Sequence, residues 1–426
     1  MQELFRWNEL ADQPHNVASR RQRFLAHWRH AGSYFSLAAT NLSLAWSVWR
    51  HYNRLKKSLY SEARLIHGAL GVAVSPDARK EETLAALKEL GVRNVLVRVP
   101  SWEKERLSYY EAFVRNLREE GWEVLVALLQ NRYDLLSPTT WRQFLEASLS
   151  RLGSWTTYFE VGHAWNRTKW GVWSYQEYLS LARPALDLAT LYGIKLVGPA
   201  VIDFEFHLYP VTLKAIPFDV VSSLLYVDRT GAPEKAQWGW TLEKKVRLLR
   251  AVIESTRCRQ KPCWITEFNW PLRGMEPYSP APGRPCVSEE EQANYLVRYF
   301  LISLTSGAVE RVYWWQLAAR GYGLADPFSS PWHRRPAFYA LKTLVSFVEG
   351  STFLRRELVD NAWITYFSRG GKKFAVVWTK QGDVEHAFPW KIKEVFDRDG
   401  SPIGFNPERI IIQPRPKYVF FEEPSF

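Results

Sequence analysis

At 426 residues the chain is too long for one small domain and fits a barrel of roughly 250 residues with smaller additions, while 46% hydrophobic residues and a mean hydropathy of -0.28 exclude both a disordered chain and an integral membrane protein. The net charge is +12, and half of it lies in residues 1–60, where nine Lys and Arg stand against three Asp and Glu; such a segment can meet an anionic membrane surface, an acidic glycan or nucleic acid. Aromatic residues make up 15%, with 21 Trp, a content that either sugar stacking or a large core can explain.

The opening MQELFRWNELADQPHN is polar and acidic rather than basic and then apolar, so no secretory signal is read and a cytoplasmic location, with possible membrane association, is expected. Three Cys, at 258, 263 and 286, give neither metal spacing nor a complete disulfide framework and favour a reducing compartment, although Cys258 and Cys263 could pair on export. Residues 1–66 are expected to form a basic helical N-terminal extension. Within 19–60, Leu37, Asn41, Leu44, Val48, Trp49 and Tyr52 recur at helical spacing, which predicts a pair of helices. The stretch is too short and too rich in Ser, Thr and Asn to span a bilayer. Its basic, Trp-bearing character suits an interfacial helix on an anionic membrane, and packing on the rest of the fold is the simpler alternative.

From residue 67 strand and helix signals alternate. Apolar runs occur at 68–74, 93–99, 122–129, 156–162, 194–201, 219–227, 262–267 and 310–316, separated by amphipathic segments such as EETLAALKELG and SYQEYLSLARPALDLATLYG that end near Gly, a common helix stop. Eight such units predict an α/β fold, a (β/α)8 TIM barrel over 67–350. An open doubly wound sheet would begin with a Gly-rich phosphate loop, whereas the first strand here is followed by VSPDARKEE. Residues 351–426 turn to short alternating strands broken by Gly and Pro, the pattern of a small β-sandwich-like C-terminal domain.

In a parallel barrel the chemistry gathers at the C-terminal strand ends. Those ends carry Arg98, Gln130 and Asn131, the run Glu160-Val-Gly-His163-Ala164-Trp165-Asn166, Asp203 and Glu205, Tyr226 and Asp228, Glu267, and Trp314-Trp315. Trp314 and Trp315 are adjacent in a strand and must face opposite sides. About half of Trp165, Trp170, Trp173, Trp270, Trp314 and Trp315 are expected to line a cleft. The sequence holds no metal spacing, Walker loop, G-x-S-x-G elbow, zinc finger or RNA-binding signature, so no metal or cofactor is expected and nucleic acid is not an expected partner.

Two of these ends, FEVGHAWNRTKWG and CWITEFNW, resemble the strand-four and strand-seven signatures of clan A retaining glycoside hydrolases, nearest the family 39 (β-xylosidase/α-iduronidase) type. In that family strand four ends in a Glu-x-x-Asn-Glu-Pro-like run whose second Glu is the acid/base, and strand seven ends in Thr-Glu, whose Glu is the nucleophile. The resemblance covers most of 67–426, including the trailing VFDRDGSPI and PKYVFF. It implies a nucleophile at Glu267, a structural carboxylate at Glu160, and a bracing Arg98. Asn166 and Trp170 keep the company the family expects. With their strand-end positions, His163, Asn166, Trp165, Tyr226, Trp270 and Trp315 are the candidate substrate contacts, Tyr226 also standing where it can hold the Glu267 carboxylate from strand six. The expected ligand is an oligosaccharide, polysaccharide or glycolipid.

The departure lies in strand four, where His163 replaces the Asn and Ala164 the acid/base Glu. Alanine cannot transfer a proton, and retaining hydrolysis uses two carboxyls about 5–5.5 Å apart. Three outcomes follow. A substitute acid could serve, with His163, Asp203, Glu205 and His207 as candidates. A donor with a good leaving group could need no acid, making the chain a transglycosidase or glycosyltransferase. The third is a glycan-binding pseudoenzyme in bacterial envelope polysaccharide assembly.

Overall fold

The computed structural model describes residues 4–422 apart from 280 and 282. Eight parallel strands close into a barrel in sequence order: β1 (Leu70–Val74), β2 (Asn94–Pro100), β3 (Glu123–Leu129), β4 (Tyr158–Val161), β5 (Lys195–Ile202), β6 (Val220–Leu224), β7 (Cys263–Phe268) and β8 (Arg311–Trp314), with β8 closing on β1. The strands are buried on both faces, which is why they read as continuous apolar runs rather than alternating ones. One face of each strand packs under the helical ring. The other fills the barrel with Ala73, Leu96, Leu125, Ala127, Val197, Trp264 and Tyr313. The Tyr313 ring so fills the lower barrel that a Cβ on Gly71 would lie 2.5 Å from it, so β1 needs glycine there.

The C-terminal strands β9 (Ser351–Val359), β10 (Ala362–Arg369), β11 (Lys372–Thr379), β12 (Val384–Ala387), β13 (Ile392–Phe396), β14 (Arg409–Ile412) and β15 (Lys417–Phe421) form a six-stranded antiparallel sheet, order β13-β15-β11-β10-β9 and then Arg64–Ile66, with β12 and β14 as a separate pair. Ile364, Val377, Val395, Ile410, Ile412 and Val419 make its own core. The edge strand Arg64–Ile66 comes from the segment that the sequence reading gave to the N-terminal extension, and it pairs with Ser351–Phe353.

That extension contains two helices, α1 (Arg20–Arg29) and α2 (Ala31–Ser58). The inner face of α2 packs against the barrel helices Tyr209–Ala215 and Leu242–Glu254. Leu37, Val48 and Leu55 lie on it, Asn41 donates to the His207 carbonyl at 2.9 Å, and His51 meets Glu254 at 3.2 Å. Trp49, grouped with that face in the sequence, points outward. Among the described residues no helix is long and apolar enough to cross a membrane. Cys258, Cys263 and Cys286 are buried and free.

Ahead of the helices the chain forms an unexpected hairpin in which Trp7–Asn8 pairs with Gln13–Pro14. Asn8 Oδ1 accepts from the Leu10 and Ala11 amides at 3.1 and 3.4 Å, and Asp12 takes φ = 49°, so the side chain of Asn8 and a left-handed residue turn the chain without glycine. Trp7 packs on Trp102 and Trp170, with ring centroids 5.0 and 5.9 Å apart. This strap lies across the C-terminal mouth of the barrel.

Candidate active site

Glu267 occupies the penultimate position of β7, and its buried carboxylate faces a cavity of about 780 Å³ at the barrel mouth. Two groups hold it. The Tyr226 hydroxyl, just past β6, donates to Oε1 at 2.6 Å, and the Arg98 guanidinium from β2 donates to Oε2. Burial, followed by the Glu267 charge, holds the Tyr226 phenol well above its ordinary range, so it stays a donor. The Arg98–Glu267 pair is nearly dry, and removing one member of such a pair leaves an uncompensated charge.

His163 completes the floor. Its Nε2 lies 2.9 Å from Arg98 Nη2 and 3.5 Å from Glu267 Oε2, and its ring meets Trp170 edge-on with centroids 4.5 Å apart. Arginine can only donate. Nε2 is therefore the acceptor, and the ring proton sits on Nδ1, which is buried without a partner. Burial, then the charges of Arg98 and Lys169, push His163 well below the usual histidine range. A neutral imidazole with its lone pair toward Arg98 is poorly placed to protonate a leaving group.

Glu160 lies beneath, fully buried, accepting from the Thr266 hydroxyl at 2.7 Å. Burial raises its carboxyl to about 7, against the lowering effect of the Thr266 and Ser222 hydroxyls. Ala164 is fully buried at φ = 44°, its amide donating to the Ala200 carbonyl at 3.1 Å, and it is not part of the cavity wall.

The remaining sequence candidates divide. Trp315 lines the cavity, with the Arg98 guanidinium 3.3 Å from its ring centroid, while Trp314 turns into the core against Phe268. Trp170 also lines the cavity. Trp165, Asn166 and Trp270 do not. Trp165 stacks on Tyr178 at 4.6 Å and donates to the Pro199 carbonyl. Asn166 braces the turn after β5 through the Ile202 backbone and Glu205, at 2.9 Å each. Trp270 is packed among Phe268, Tyr295 and Tyr299 and donates to the Gly231 carbonyl. Their strand-end positions are right, but just past a strand end the chain turns and its side chains point back into the layer of helices as easily as into the mouth.

Asp203 and Glu205 share Arg167, with the Asp203 contact at 2.5 Å. Asp228 is held below the usual carboxylate range, its burial outweighed by the Thr230 and Gly231 amides and by Lys235. Lys169, lining the same wall, is lowered to about 8 by burial.

One further wall residue was not visible in the sequence. Asp12, at the tip of the strap, places Oδ2 3.5 Å from Arg98 Nη1 and 3.2 Å from Gln316 Nε2. Burial raises its carboxyl above the usual range; Arg98 lowers it, and the nearby Glu267 charge raises it again. The available sequence signals were Asn8 four residues earlier and Pro14 after it, which mark a turn but not where the turn docks.

Solved structures share this architecture. A family 39 glycoside hydrolase from the gut symbiont Bacteroides cellulosilyticus WH2 is 16% identical with a TM-score of 0.67, over 84% of this chain and 81% of that one. A GH30 endoxylanase from Clostridium papyrosolvens C71 is 14% identical with a TM-score of 0.59, over 85% and 98%. A GH51 arabinofuranosidase from Xanthomonas axonopodis pv. citri is 12% identical with a TM-score of 0.58, over 84% and 97%. No family model and no curated protein matches the sequence. At these identities the likeness is one of fold, that of clan A glycoside hydrolases, with barrel and C-terminal β domain together.

Proposed function

We propose that this chain is a carbohydrate-active protein of the glycoside hydrolase type, in which Glu267 attacks the anomeric carbon of a bound sugar and a covalent glycosyl ester forms and is passed to water or another acceptor. The observation that carries this reading is the Glu267 carboxylate, aimed into the cavity and held from two sides by Tyr226 and Arg98. A carboxylate with its oxygens fixed loses little freedom on reaching the attacking geometry. Trp170 and Trp315 supply aromatic wall for a sugar, and Lys169 would favour an anionic group on the donor or acceptor.

The test is intact-mass analysis after incubation with 2-deoxy-2-fluoroglycosyl fluorides of several pentoses and hexoses, whose leaving group needs no acid. Peptide mapping should place the adduct on Glu267, and Glu267→Gln should abolish it. The competing reading, a glycan-binding pseudoenzyme of envelope polysaccharide assembly, is favoured by Ala164, which can carry no proton. It predicts glycan binding with no adduct in any member of the panel.

The same proposal places the protein at an anionic membrane surface through α1 and α2. On the outer face of α2, Phe35, Leu42 and Trp49 recur every seventh residue with Trp46 beside them, and they are 79, 75, 57 and 70% exposed; Trp28 of α1 is 75% exposed. Isolated exposed apolar residues need no explanation, but aromatic residues gathered on one helix face near Arg50, Lys56 and Lys57 do. Cosedimentation with phosphatidylglycerol vesicles, lost in Trp28→Ser/Trp46→Ser and absent with phosphatidylcholine alone, is the expected result. Equal sedimentation of the variant would remove the membrane reading.

A further inference from the structure

We infer that Asp12, delivered by the N-terminal strap, is the second catalytic carboxyl of the site, replacing the acid/base that strand four lacks. The inference rests on the reading of Glu267 as nucleophile. Among the described residues, four acidic side chains line the cavity, namely Asp12, Asp203, Asp228 and Glu267. Asp203 is committed to Arg167, and Asp228 to two backbone amides and Lys235. Asp12 differs in that it shares the guanidinium of Arg98 with Glu267, so one planar cation spaces the two carboxyls across the same cavity. Both contacts of the Asp12 carboxyl fall on Oδ2 and are long or neutral, from Arg98 Nη1 at 3.5 Å, which it shares with the Asp12 carbonyl, and from the Gln316 amide at 3.2 Å. Neither engages Oδ1.

The electrostatics suit a group that must donate and then accept. Burial favours the protonated form of Asp12, Arg98 opposes it, and the like charge of Glu267 adds to the burial, the net direction being upward. As Glu267 becomes an ester its charge disappears while that of Arg98 remains, which favours the Asp12 carboxylate. The sequence of bonds is then complete. Glu267 bonds to the anomeric carbon as the glycosidic C–O bond breaks, and the departing oxygen takes the Asp12 proton. Water next attacks that carbon and gives a proton to the Asp12 carboxylate as the Glu267 ester bond breaks, returning both groups to their starting state.

The strap is built to hold that position. Trp7 is wedged between Trp102 and Trp170, the Leu4 amide donates to the Tyr133 hydroxyl at 3.3 Å, and the His15 amide closes on the Arg6 carbonyl at 2.8 Å. Asp12 is thus fixed by contacts that do not involve its carboxyl, and Asp12→Asn should leave the strap docked.

The experiment compares the full chain with its Asp12→Asn variant, using the fluoroglycosyl fluorides above and matched 2,4-dinitrophenyl and phenyl glycosides with and without sodium azide. The expected result is Glu267 labelling in both proteins, a loss of about 100-fold or more on phenyl glycosides in the variant, and azide-dependent turnover of its dinitrophenyl substrate with a glycosyl azide as product. Labelling of both proteins with equal turnover of phenyl glycosides overturns the role of Asp12 and leaves Glu267 standing. No labelling and no turnover in either protein overturns the Glu267 reading, and Asp12 falls with it. If Asp12→Asn melts early, Asp12→Ser gives the same comparison.

Discussion

Replacing Glu160 by Gln should make stability less dependent on pH, in a direction the burial of this group dictates. Glu160 is 1% exposed at the barrel centre, and its carboxyl is raised from the ordinary 4.5 to about 7, chiefly by burial. The folded state therefore keeps a proton that the unfolded chain releases above about pH 4.5. Stability from this group is fully present below that value and is lost as pH rises through about 7, because the native state must then hold a buried charge. At about 1.4 kcal/mol per pH unit the whole loss is about 3 kcal/mol, of which about 2.5 kcal/mol falls between pH 5 and 8. Glutamine mimics the neutral acid, accepting from Thr266 and donating from its amide. Urea denaturation of both proteins at pH 5, 6, 7 and 8 isolates the effect, since other titrating groups cancel in the difference. The wild type should lose about 2.5 kcal/mol relative to Glu160→Gln across that range. A difference that stays constant from pH 5 to 8 would refute the reasoning.

Arg98→Ala should cost about 3–5 kcal/mol, because it strands the Glu267 charge in a nearly dry site; in urea titrations Glu267→Gln should recover part of the loss in the double variant, and a cost below about 1 kcal/mol would contradict the pairing. His163 should remain neutral from pH 5.5 to 8, as read from its imidazole carbon shifts, since burial and two cations oppose its protonation; a midpoint near 6.5 would remove the argument against it as the acid. Gly171→Ala should lower stability by more than about 2 kcal/mol, because the residue sits at φ = 88° and a Cβ would lie 2.4 Å from the Arg132 amide. The same change should displace the turn that carries Lys169 and Trp170, and unchanged melting would count against that geometry.

The barrel was legible because its strands are long apolar runs at regular spacing, and β1 to β8 fall within a few residues of the runs read from the sequence. Glu267, Arg98, Tyr226, His163 and Trp315 converge on one cavity because each stands in a strand or directly at its C-terminal end. Trp165, Asn166 and Trp270 were harder to place, since side-chain direction after a strand depends on turn geometry that periodicity does not encode. Tertiary docking was the least visible. Nothing local in Arg64–Ile66 says that it pairs with residues 351–353, and nothing in MQELFRWNELADQPHN says that Asp12 will meet an arginine 86 positions away.

The strap and strand four bear on the same cavity from different sides. A carboxyl placed at position 164 would have to leave a fully buried, left-handed turn to reach the cavity, so Ala164→Glu alone should destabilise the protein rather than install a proton donor. His163 cannot take over that role while its Nε2 accepts from Arg98. Arg98 in turn is held by the ring of Trp315 on one face and by carboxyls on both amino groups. Of the acids lining the cavity beside Glu267, Asp12 is the one whose carboxyl contacts the same guanidinium. If the strap were only a structural cover, an uncharged polar residue at its tip could satisfy Gln316 without setting a second carboxyl on the guanidinium that already holds Glu267.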